Sequence, residues 1–75
     1  MLFRSQYVAA HVNYVKELKA HGHEAKTGYW AEYGGGMLLF KADSLDDAKA
    51  IVDADPLIKN QCVDYELHEW RLVVD

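Results

Sequence analysis

Cysteine and proline are nearly absent: Cys62 and Pro56 are the only ones in 75 residues. One thiol cannot close an internal disulfide, and the Cys/His spacings match no zinc pattern, so neither kind of staple supplements the core. Long apolar runs are missing too. Nothing approaches the roughly 18 to 20 residues of a membrane span, and the Met1-Leu2-Phe3 start lacks the basic-then-apolar layout of a leader peptide. The expectation is a cytoplasmic protein with no membrane partner. Positive charge is thin: eight Lys plus Arg stand against twelve Asp plus Glu, for a net charge of −4. The cations are scattered along the chain, so no stripe is available for a phosphate backbone and nucleic acid is excluded as a partner.

What is present is apolar and aromatic material. Hydrophobic residues make up 51% of the chain, with two Trp, five Tyr and two Phe, a composition that predicts a packed fold. Residues 1–75 make one domain, and at this length folding hides only about 60% of the surface that the unfolded chain exposes. Without disulfide or metal, oligomerisation is the expected supplement.

Along the chain, Met1-Leu2-Phe3 reads as the tail end of a strand. Ser5 is a candidate N-cap, after which Val8, Val12, Val15 and Leu18 recur at helical spacing until Gly22, predicting a helix over residues 6–20. Tyr7, Tyr14 and Leu18 form a second row beside the first, and His11 lies between the two, so its imidazole is expected to point inward. Thr27, Tyr29 and Trp30 favour a strand running into the glycine-rich turn Gly34-Gly35-Gly36. Met37-Leu38-Leu39-Phe40 follows without alternation, as in a central strand covered on both faces.

Ser44 with an acid three residues later opens a second helix that extends to about Asp53. Pro56 cannot continue it but suits the first position of a new helix, with Asp55 as its N-cap. Cys62 to Val73 reads as a last strand, alternating at Val63, Tyr65 and Leu67 and then changing phase to Trp70 and Leu72, with a bulge near His68. The order gives an α+β fold with two helices on one face of a sheet. The other face needs a cover, which predicts a homodimer packed through the open sheet face.

These residues resemble the YCII (YciI-like) family of small proteins. The matching features are His11 with Tyr14, Gly28, Gly35-Gly36-Met37-Leu38-Leu39, Ala42-Asp43-Ser44-Leu45, Ala54-Asp55-Pro56, and Tyr65 through Trp70, in the family's order and over nearly the whole chain. The resemblance implies a ferredoxin-like sheet paired into a dimeric α+β barrel. It also implies a small-molecule pocket between helix and sheet in which His11 and Asp55 form an acid/base pair, with Tyr14, Gly28, Tyr29 and Trp30 around it. One relative eliminates hydrogen chloride from a chlorinated aromatic diol. This chain departs from the family in three places: its first strand is reduced to Met1-Leu2-Phe3, Tyr29 and Trp30 stand where proline and an apolar residue are usual, and Leu57 replaces an aromatic residue.

A carboxylate that accepts from one imidazole nitrogen fixes the tautomer and leaves the other nitrogen free to take a proton near neutral pH. That chemistry implies a lyase or isomerase acting on a small polar or aromatic compound, without cofactor or metal. The alternative is a core histidine and a simple helix cap, in a non-catalytic ligand-binding or accessory domain. His21-Gly22-His23 lacks a third metal ligand and reads as a helix end, and His68 with Glu66 as an exposed strand face. Cys62 reads as an unactivated thiol. Tyr29, Trp30 and Tyr33 either stack on a planar ligand or fill a subunit contact.

Overall fold

The computed structural model describes residues 2–32 and 34–74, with side chains from Gln6 onward. Its elements are α1 (Leu2–Ala20), β1 (Lys26–Tyr29), β2 (Gly36–Leu39), α2 (Leu45–Asp53) and α3 (Pro56–Lys59). The fold is α+β, with two antiparallel strands, α1 packed on β1, and α3 packed between α1 and α2.

The first helix begins earlier than its capping signal suggests. Leu2 and Phe3 continue α1 instead of forming the end of a strand. Leucine, phenylalanine and arginine all tolerate a helix, and a three-residue strand has no ladder to join, so the helix runs through Ser5. Met1 lies outside the described residues. At its other end, α1 closes as the sequence predicts: the His23 amide donates to the Leu18 carbonyl at 3.0 Å and the Gly22 amide to Lys19 at 3.2 Å. Gly22 takes φ of 88° between them. This is a Schellman closure, which needs a residue without a Cβ penalty at that position.

The predicted apolar stripe of α1 is only half covered. Val15 and Leu18 are buried and form a core cluster with Ala25, packed by Tyr14, Leu38, Phe40 and Ile51. Val8 and Val12, about two turns and one turn toward the N-terminus from Val15, remain 46% and 39% exposed.

β1 and β2 pair with Thr27 opposite Leu38 and Gly28 opposite Met37. Side chains alternate across a strand and opposite residues share a face. Thr27 and Leu38 therefore face α1, while Gly28 and Met37 face away. Met37 is 56% exposed, so the double-sided cover expected for residues 37–40 is not present within one chain. The hairpin closes by a bond from the Trp30 amide to the Gly35 carbonyl. A Cβ at Gly36 would sit 2.2 Å from the Gly28 carbonyl oxygen and 3.1 Å from the Tyr29 Cα, whereas one at Gly34 would meet nothing. Gly36→Ala is expected to lower the thermal midpoint by an amount equivalent to about 1–3 kcal/mol, the usual cost of overpacking. Gly34→Ala is the matched control and should leave the melt unmoved.

Ser44 caps α2 by accepting from the Asp47 amide, and Asp55 caps α3 by accepting from the Leu57 amide at 3.0 Å. Both caps stand where the sequence places them. The last predicted strand does not form: residues 63–72 carry no strand. A cavity of about 670 Å³ lies between this segment and β2, with Met37–Ala42 on one side and Glu66–Trp70 on the other. Alternation alone cannot make a strand without a neighbouring backbone to bond. Trp70, Leu72, Val73 and Val74 are accordingly exposed.

Candidate functional site

Asp55 sits at the break between α2 and α3, where Pro56 ends one helix and starts the next. It is 4% exposed, the one buried polar or charged residue among those described. One carboxylate oxygen accepts from the Leu57 amide, and the other lies 2.6 Å from His11 Nδ1, across 44 residues of sequence. Contacts between α1 and α3 hold the two together. His11 has 12% and Asp55 5% of its side-chain surface exposed. Each carboxylate oxygen is thus met by a nitrogen, and because a carboxylate can only accept, this geometry assigns the His11 proton to Nδ1.

The other ring nitrogen faces the sheet. His11 Nε2 lies 3.0 Å from Thr27 Oγ1, and the Thr27 hydroxyl donates to the Met37 carbonyl at 3.1 Å. Thr27 is exposed, so Nε2 lies on the solvent side of the pair and Nδ1 on the buried side. Sequence reasoning missed Thr27. The available signal was a hydroxyl on the inward face of β1, immediately before Gly28.

Tyr14, one turn along α1 from His11, donates its hydroxyl to the Ile51 carbonyl at 2.7 Å. Burial raises its phenol above the ordinary value of 10.0, and the Asp55 and Glu17 carboxylates raise it further. A raised value means that the bond's contribution is present below about pH 10 and is lost as the pH climbs through the folded-state value. Tyr14→Phe is therefore expected to flatten the alkaline limb of a stability–pH curve. Some slope should remain from Tyr65, whose phenol is raised by its bond to Asp53. An alkaline limb as steep as in the parent chain would contradict the assignment.

The aromatic rim is open. Tyr29 is 85% and Trp30 42% exposed at the far end of β1, Gly28 stands between Thr27 and Tyr29, and Tyr33 lies outside the described residues. The 670 Å³ cavity and a second of about 630 Å³ beside His21, His23 and Ile51 are lined without His11 or Asp55. His21 and His23 bond through Nδ1 to the Glu17 and Lys41 carbonyls. No group of three or more His, Cys, Asp or Glu among the described residues could hold a metal ion. No helix among them is long and apolar enough to cross a membrane.

The family model for the YCII-related domain matches residues 3–71. The uncharacterised protein YjpA of Bacillus subtilis is 31% identical over 70 residues, covering 93% of this chain and 82% of its own length. No solved structure matches.

Proposed function

Because the chain belongs to the YCII-related family, we propose that it is a small-molecule enzyme of lyase or isomerase type, with His11 as general base and Asp55 orienting and charging it. The observation that carries the reading is the 2.6 Å contact between two largely buried ionisable groups from distant parts of the chain. Asp55 accepts the Nδ1 proton and fixes the ring, and Nε2 takes a proton from carbon or oxygen of the substrate. The imidazolium so formed is stabilised by Asp55. Its proton then returns to another atom in an isomerisation, or follows a departing group in an elimination. Tyr14, Gly28, Tyr29 and Trp30 line the approach, and the scheme uses no cofactor or metal.

The unit proposed to act is a homodimer joined through the open sheet face, in the manner of a ferredoxin-like dimeric α+β barrel. Support comes from the uncovered Met37, on the face turned away from α1. Sheet-to-sheet pairing buries such a residue. Light scattering at micromolar concentration should give twice the chain mass, and a stable folded monomer would contradict this assembly.

A second reading, a non-catalytic binding or accessory domain, is favoured by one observation: His11 and Asp55 line neither of the two cavities described. Proton abstraction leaves a trace even when the substrate is unnamed. In heavy water, a panel of small hydroxylated, chlorinated and carbonyl compounds can be followed by proton NMR. Deuterium wash-in by the parent chain and none by His11→Gln supports the base. Wash-in that is unchanged in His11→Gln, or compounds that bind without exchange, favours the second reading.

A further inference from the structure

We infer that Thr27 is a positioning residue for His11 whose hydroxyl transmits the protonation of Nε2 to the backbone of β2. The inference rests on the His11–Asp55 reading for one point, that Nδ1 is committed to the carboxylate. Thr27 Oγ1 has one proton and two partners, His11 Nε2 at 3.0 Å and the Met37 carbonyl at 3.1 Å. A carbonyl can only accept, so the arrangement has two states. With a proton on Nε2, the ring donates to Oγ1 and the hydroxyl donates to Met37, and every bond is made. With Nε2 bare, the hydroxyl can serve only one acceptor.

In that state the hydroxyl turns to the ring. Thr27 is the donor placed at Nε2, whereas the Met37 carbonyl stands opposite Gly28 in the ladder, in the phase set by the Trp30–Gly35 bond, and keeps that strand's amide. Releasing the acceptor that has a second donor is the cheaper choice. Each proton transfer at His11 thus makes or breaks the bond to Met37. A substrate must reach Nε2 from the side that Thr27 occupies. The compound taken is therefore one with a polar group that can replace the hydroxyl or receive its proton.

The charged surroundings leave His11 as the group that drives this change. Asp55 faces it from the helix break, and Tyr14 lies one turn along α1 with Glu17 beyond it. On β1, Lys26 alternates to the opposite face from Thr27, and Gly36 through Leu39 of β2 contain no ionisable side chain. The other nearby ions are engaged with one another, Lys41 with Glu24 and Lys49 with Asp53.

The peptide that reports the change joins the Met37 carbonyl to the Leu38 amide. In the full chain, the Leu38 amide nitrogen shift should follow pH with the same midpoint as the His11 ring. Thr27→Val should leave the ring titrating and abolish the Leu38 response, and Thr27→Ser should retain it. If Thr27→Val disturbs the cross-strand contacts of the hairpin, Thr27→Ala against Thr27→Ser gives the same comparison. A Leu38 shift that does not move with pH in the parent chain, or that moves equally in the variant without a hydroxyl, overturns the inference. Neither result bears on deuterium wash-in, so failure here is separate from failure of the general-base reading.

Discussion

Asp55→Ala is expected to remove about 2–5 kcal/mol of folding stability, with Asp55→Asn costing distinctly less. Two losses combine in the alanine variant. The cap on α3 disappears, and a cap deletion costs about 0.5–2 kcal/mol. His11 also loses the partner that meets its buried nitrogen, and breaking a buried pair on one side costs up to about 3–5 kcal/mol when the group left behind is charged. Asparagine caps as well as aspartate through its one oxygen, but its amide nitrogen then stands where the second carboxylate oxygen met Nδ1, so it keeps the Leu57 bond and loses the acceptor for the His11 proton. Small domains have total stabilities near the low end of about 5–15 kcal/mol, so the alanine variant should lose much of its urea midpoint. Equal losses in the two variants would show that the carboxylate acts through His11 alone and that the Leu57 cap contributes nothing.

His11→Ala is expected to lower turnover by about 100- to 10,000-fold, the range that a positioned general base supplies. The alanine variant strips Asp55 of a donor as well as removing the base, so the informative partner is His11→Gln, whose amide can donate to the Asp55 carboxylate without accepting a proton. Both should be inactive, with His11→Gln closer to the parent in urea. Activity retained in either variant once a substrate is in hand removes His11 from the catalytic role.

The sequence was most legible where local chemistry decides the outcome. Gly22 after α1, Ser44 before α2 and Asp55 before Pro56 are short-range signals, and the structure places a closure or cap at each. It was least legible where the outcome depends on neighbours. Leu2 and Phe3 are as compatible with a strand as with a helix, and nothing local shows that no strand lies beside them. The alternation from Val63 to Leu67 survives only at its ends, where Val63 and Leu67 are half-buried while Tyr65 between them is exposed like Asp64 and Glu66, and no ladder forms. The meeting of His11 and Asp55 came from matching an ordered set of motifs; spacing alone could not bring residues 44 apart together. Thr27 was invisible because its part depends on strand register and on a helix packed across it.

The central claim is that Asp55 holds the His11 proton on Nδ1 and so leaves Nε2 to do the chemistry. A long-range proton–nitrogen NMR correlation on the His11 ring tests it most directly. The neutral ring is predicted to carry its proton on Nδ1, with a downfield signal that exchanges slowly compared with that of the exposed His68 ring. A neutral ring protonated on Nε2, or an Nδ1 proton exchanging as fast as that of His68, would contradict it.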